Sequence, residues 1–272
     1  MEKRDLAKYL LNQVPHYYNK TKLKFNLVFC FYRPVFSFNH KTFRIFVLYY
    51  IYMAKKKKVS KLDILTLYMD LVSENQQKPN DVEDFCNQVN LDEDSFYSHF
   101  KSLKKVEKTI FNELFKNSLE VLVESEEFLS FDGKNKLLSL YFTFFENLNL
   151  NRTYIEVVLK GCKSQLKSYK TLSSLKKSFI QFVDGLQLTE SILPIDGLEK
   201  IQSNVINQSS WVQLLITIKF WLEDTSESFE KTDIFIEKSI NTSFELIENK
   251  FLKNVFDLGK FVYKEKFQKN TD

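Results

Sequence analysis

Four helix starts are packed between Ser60 and Leu122, and no other stretch restricts the fold as much. Leu62, Leu65, Met69 and Val72 fall at spacings of 3, 4 and 3, which predicts one apolar face of a first helix. Pro79-Asn80 breaks the chain, and Asp81 to Val89 reads as a short second helix presenting Val82, Phe85 and Val89. Asn90 sits at a turn that needs a residue tolerant of positive φ. Asp92 then caps a third helix with Phe96, Tyr97 and Phe100 on its buried side and Leu91 packing just ahead of the cap. Ser102 is placed to cap a long fourth helix running to about Ser125, with Val106, Ile110, Leu114 and Phe115 inward. Helix, short helix, tight turn, short helix is the layout of a helix-turn-helix.

The chain is long enough for a sizeable core, with 272 residues of which 44% are apolar. Its 5 Gly and 4 Pro are too few for a turn-dense β fold and favour long helices. Cys30, Cys86 and Cys162 form no metal or disulfide spacing, which suggests a reducing, cytoplasmic setting. The net charge of +4 conceals an asymmetry: residues 1–52 hold nine Lys or Arg against Glu2 and Asp5, so the remainder carries a net of −3. That first segment is rich in Phe and Tyr, has no steady period, and contains no apolar run of the ~18 residues that span a bilayer. It also lacks the pattern of a signal peptide. Three readings of it stand open: an upstream stretch preceding a true start at Met53, an accessory tail, or a membrane-surface anchor.

Beyond the fourth helix, Asp132 can cap a helix through Leu148, and Asn151 a shorter one to Lys160. A lysine-rich helix from Ser164 to about Leu186 follows, then a loop at Pro194-Ile195-Asp196-Gly197. Two helices come next, Leu198 to Gln208 and Trp211 to Leu222, the second with Trp211, Leu215, Ile218 and Leu222 on one face. Ile236, Ile240, Phe244, Ile247, Phe251, Val255, Leu258 and Val262 are spaced 4, 4, 3, 4, 4, 3 and 4, a seam made to pack along its length. Such a seam suits either a core helix of one subunit or a share in a two-fold bundle.

Catalysis is hard to build from these residues. His99 is the one histidine after residue 52, set between Ser98 and Phe100. No glycine-rich phosphate loop, nucleophile elbow or metal-ligand cluster appears, so no enzyme, metal or cofactor is expected. Aromatic residues are in surplus instead: Tyr141, Phe142, Phe144, Phe145, Tyr154, Phe179, Phe182, Trp211 and Trp221 exceed what one apolar face needs.

The string Ser95-Phe96-Tyr97-Ser98-His99-Phe100-Lys101-Ser102-Leu103-Lys104-Lys105-Val106 resembles the TetR signature, a small residue before an aliphatic-Tyr-x-x-Phe run and a capped, charged helix. Leu137-Leu138 through Asn151-Arg152 looks like the first helix of the TetR ligand domain, and Phe220 to Asp233 like a C-terminal domain variant of bacterial members. The resemblance implies an all-α fold. A three-helix helix-turn-helix head over 53–106 would join a helical ligand and dimerisation domain over 107–266, leaving 1–52 as an extension and 267–272 as a tail. It implies a homodimer on double-stranded operator DNA, contacted through Lys57, Lys58, Ser95, Tyr97, Ser98, His99, Lys101, Lys104 and Lys105. An apolar small molecule or lipid would lie among Tyr141, Phe142, Phe145, Tyr154, Cys162, Phe182 and Trp211, with Ile236, Ile240, Phe244, Ile247 and Phe251 at the dimer interface. No stable membrane insertion is expected.

One departure stands out. The reading helix opens with Asp92, Glu93 and Asp94, which favour the helix dipole but repel phosphate. Two functions follow. The first is a cytoplasmic transcriptional regulator, a repressor released by an apolar ligand. The second is a binding protein on the same fold that no longer uses DNA, similar to the lipid-binding protein of ubiquinone biosynthesis that handles isoprenoids.

Overall fold

The computed structural model describes residues 59–160, 170–186 and 199–248, with isolated positions 188, 258, 259, 261 and 265. Residues 1–58 lie outside it, and with them Lys57 and Lys58; so do Cys162, Phe251, the Ile247 side chain and the loop at Pro194.

The described residues are all helical in their regular structure. α1 spans Lys61–Asn75, α2 Val82–Val89, α3 Glu93–Tyr97 and α4 Leu103–Val123. A single turn, α5 (Glu126–Ser130), leads to α6 (Gly133–Leu150) and α7 (Arg152–Lys160). α8 (Ser173–Gly185), α9 (Glu199–Glu223) and α10 (Glu230–Glu248) complete the order, a 3-10 turn at Glu227–Phe229 joining the last two. No described helix is long and apolar enough to cross a membrane.

Local chemistry sets the helix starts. Ser60 and Asp63 form a reciprocal capping box, Asp81 accepts from Asp84 N, Asp92 from Ser95 N and Asp132 from Asn135 N. Asn90 ends α2 at φ 52, the left-handed conformation its side chain tolerates. Three expectations need correction. The inner face of α1 is Ile64, Leu65, Tyr68 and Val72, rotated so that Leu62 is exposed. Ser102 occupies the N-cap position of α4 but makes no side-chain cap bond. The helices expected on either side of Ser209-Ser210 are one, because Ser209 Oγ donates back to the carbonyls of Val205 and Ile206 and the ladder continues. Within α9, Trp211, Leu214, Ile218 and Trp221 are buried, while Leu215 and Leu222 are only half-buried.

α4 packs against α6 and α8, α10 covers α6, α9 covers α8, and α9 and α10 lie together. An aromatic seam fills the interior: Phe115 meets Phe144 and Phe179, Tyr141 meets Phe145 and Phe179, and Phe145 meets Trp221, with centroids 5.7–6.2 Å apart. Polar ties fix its register. Asn147 Nδ2 donates to Leu114 O at 2.9 Å, and Ser178 Oγ to Asn112 Oδ1 at 2.6 Å.

The corner between α9 and α10 is built around Asp224, a nearly buried carboxylate. It accepts from the N–H and hydroxyl of Ser226 at 2.8 and 2.7 Å and from those of Thr232 at 2.9 and 2.6 Å. Burial pushes this carboxyl up, but the hydrogen bonds from Thr232 and Ser226 outweigh it and hold the group at about 2. A carboxyl lowered on folding stabilises the native state above its unfolded value and stops doing so as pH falls through its folded one. The contribution is therefore full above about pH 4 and fades toward about pH 2. Asp224→Asn is expected to cost about 2 kcal/mol at neutral pH, the scale of hydrogen bonds to a charged group. Thermal melts of both proteins from about pH 5 to about pH 2 should show the gap closing; a constant gap would place the stabilisation elsewhere.

Candidate nucleic-acid interface

In the head, Phe96 and Phe100 turn inward, Phe96 lying 5.9 Å from Phe85, which in turn lies 5.5 Å from Tyr68. Because these positions anchor α3, the residues between them face out. Tyr97 is 52% exposed, not part of the buried side as its spacing suggested, and its ring edge meets Phe96 at 5.5 Å. Ser98, His99, Lys101, Lys104 and Lys105 are exposed beside it. Ser95 is half-buried and turned back, its N–H and hydroxyl both donating to Asp92. The His99 ring meets Val59 O through Nε2 at 2.9 Å, so it pins the chain at the point where Lys55 to Lys58 would enter the head.

The same surface carries Asp92, Glu93 and Asp94, all exposed. Residues 59–106 hold five Lys against nine Asp or Glu, a net of −4. A head that uses DNA must therefore do so through a local lysine cluster, not through its overall charge.

Head and body meet at a buried polar joint. Glu107, 6% exposed on α4, accepts from the Tyr68 hydroxyl of α1 at 2.9 Å and pairs with Lys78 of the α1–α2 loop at 2.9 Å. Burial first, then the negative charge of Glu107 and its hydrogen bond, push the Tyr68 phenol far above its ordinary range. Tyr154 of α7 stands against this group, its ring 6.3 Å from Tyr68 and 6.2 Å from Phe111, and its buried hydroxyl has no hydrogen-bond partner.

Of the candidate ligand residues, Tyr141, Phe145 and Trp211 are buried and linked through Phe179, with Trp211 6.2 Å from it. Phe142 and Phe182 are half-buried, and Tyr154 belongs to the joint, away from this group. The Tyr141 hydroxyl is buried without a partner in the aromatic seam.

Of the candidate interface residues, the side chains of Ile236, Ile240 and Phe244 are described. Ile236 and Ile240 are fully buried and Phe244 nearly so, inside the core of their own subunit. The outer face of α9 and α10 presents Val205, Val212, Ile216 and Ile234, which are about half exposed. There Phe220 and Phe235 stack at 4.6 Å and line a groove of about 570 Å3 with Lys231, Ile234 and Lys238. The i, i+4 spacing of Val212, Ile216 and Phe220 was available in the sequence to mark this face.

Truncating Glu107 leaves the buried Tyr68 hydroxyl, and the part-exposed Lys78, without their acceptor. Glu107→Ala is expected to cost about 1–3 kcal/mol, the penalty for a buried hydroxyl left unpaired, while Lys61→Ala, at a largely exposed pair with Glu113, should cost under about 1 kcal/mol. Urea unfolding measures both, and equal costs would show that the joint contributes little.

Residues 136–262 match the family model for the tetracyclin repressor-like C-terminal domain. A solved bacterial regulatory protein of the tetR family from Rhodococcus RHA1 aligns at 13% identity and a TM-score of 0.39, over 71% of this chain and 98% of that one. No curated protein matches the sequence. Over residues 136–262, a little under half of its length, the chain carries a tetracyclin repressor-like C-terminal domain.

Proposed function

We propose that the chain is a TetR-type transcriptional regulator, a cytoplasmic homodimer that represses by holding operator DNA and releases it when an apolar small molecule enters the body. The observation that supports this reading best is the continuous exposed surface of Tyr97, Ser98, Lys101, Lys104 and Lys105 at the end of α3 and the start of α4. Because Ser102 makes no side-chain cap bond, the N–H groups of Leu103 and Lys104 at the start of α4 are available to meet phosphate, that of Lys105 already donating to Ser102 O. Ser95, engaged with Asp92, contributes less than its position suggested. Lys57 and Lys58 would extend the contact along the backbone.

The effector would lie against the Tyr141–Phe145–Trp211 wall, and its polar end would accept from the unpartnered Tyr141 hydroxyl. The second reading, a lipid- or isoprenoid-binding protein that has left DNA, is favoured by Asp92, Glu93 and Asp94 on the surface a groove would meet.

Binding of the full chain to its own upstream DNA and to random duplex, at several salt concentrations, separates the two. The regulator binds the first selectively at physiological salt. Lys104→Glu with Lys105→Glu then weakens binding at least about thirtyfold and flattens the salt dependence by about two counterions per head. Weak binding, equal for both duplexes and abolished by salt, would end the regulator reading and direct attention to lipid carried by the purified protein.

The dimer is assigned to the outer face of α9 and α10, where Val205, Val212, Ile216, Phe220, Ile234 and Phe235 meet their two-fold copies. Ile216→Asp should give a folded monomer in sedimentation, whereas Ile240→Asp, placing a charge in the core, should unfold the subunit. A dimer that survives Ile216→Asp would move the interface to another surface.

A further inference from the structure

Arg152 opens α7, and its guanidinium lies between two rings, 4.7 Å from the Trp221 centroid and 4.6 Å from that of Phe229. Nη1 donates to Trp221 O at 3.2 Å, Nη2 to Leu222 O and Asp224 O at 3.4 Å, and Nε pairs with Glu156 at 2.9 Å. The last carbonyls of a helix have no partners within it, and here a side chain from another helix takes them. Ser228 and Phe229 both hold left-handed backbone, φ 51 and 58, a conformation a bulky residue rarely adopts. That conformation belongs to the turn that sets the Phe229 ring over Arg152. Trp221 is fixed from its other side, donating from Nε1 to Asn149 Oδ1 at 2.6 Å. Two residues along α7 from Arg152, Tyr154 packs against Tyr68, and α7 as a whole lies on α1.

We infer that Arg152 is a positioning residue that couples the α9–α10 corner to the head. α7 is only nine residues long, so its clamp and its contact with α1 belong to one stiff piece. A corner that moves with the outer helices takes Arg152 with it, and α7 transfers the displacement to α1. The coupling is a property of the subunit and does not depend on DNA being the partner of the head.

Hydrogen exchange of the intact chain tests it. Arg152→Gln removes the clamp, Phe229→Leu removes one ring of the sandwich, and Thr153→Ala, at an exposed position of α7 outside the clamp, is the control. The expected result is exchange at least about tenfold faster in α1 and α7 for the first two variants, with the α4–α8 centre unchanged and the control like wild type. Acceleration confined to residues 221–232 would overturn the coupling. So would uniform acceleration that includes the α4–α8 centre, since Arg152 would then be an ordinary stabilising residue. Binding to DNA can fail while this result stands, and the reverse also holds.

Discussion

Glu107 is the group on which the relation of head to body depends. A carboxylate taken out of water costs several kcal/mol unless its oxygens are paired, and here the pairing comes from two parts of the head, Tyr68 of α1 and Lys78 of the α1–α2 loop. The head cannot shift along α4 without carrying both donors with it or leaving the carboxylate unpaired. α4 itself continues from Phe111, which packs on Tyr154 at the joint, into the body, where Phe115 joins the aromatic seam and Leu114 is buried beside it in sequence. One helix therefore serves two cores, and its polar residue at the boundary fixes how they are joined. The unpartnered Tyr154 hydroxyl beside it is a local cost that the surrounding packing sustains.

The joint has a counterpart at the far side of α7. There the charge is a cation, Arg152, and it is satisfied by backbone carbonyls and two rings together with the Glu156 carboxylate. Both ends use the same physics, a charged group with little access to water whose donors or acceptors come from different helices. Apolar packing alone tolerates sliding, because dispersion has no preferred direction and a displaced apolar surface attracts whatever atoms it next meets. Hydrogen bonds to a buried charge are directional and permit few arrangements. The two clusters thus set the geometry of a bundle whose stability comes mostly from its aromatic interior.

Much of this was legible in the sequence, and the failures share a cause. Helix starts were readable because a capping Asp or Ser acts within three residues of itself, as Asp81, Asp92 and Asp132 do. Asn90 was readable for the same reason. Faces were harder. The Ile236–Ile240–Phe244 seam does pack along its length, but spacing marks a buried face without naming what buries it, and here it is the subunit's own core. Phe96, Tyr97 and Phe100 look like one apolar patch in the sequence, yet only Phe96 within α3 and Phe100 just beyond its end, one turn apart, turn inward. The Glu107 joint gave no local signal at all. Its partners lie 39 residues away at Tyr68 and 29 away at Lys78, and only the tertiary fold brings them together.

The acidic opening of α3 also has a local explanation that is independent of any partner. A helix of five residues is too short to sustain itself, since nucleation is unfavourable and few bonds follow it. Asp92 supplies its cap, and Glu93 and Asp94 meet the positive end of its dipole. The same carboxylates act against phosphate, so their effect depends on how far they lie from the lysines. α3 rises about 7.5 Å over its five residues, close to the screening length of about 8 Å at physiological salt. Lys101, Lys104 and Lys105 follow beyond that rise, at the other end of the α3–α4 turn. The exposed surface is therefore split, negative where α3 begins and positive where α4 begins. A polyanion is drawn to one end and pushed from the other, so the split orients an approaching backbone more than it strengthens the contact.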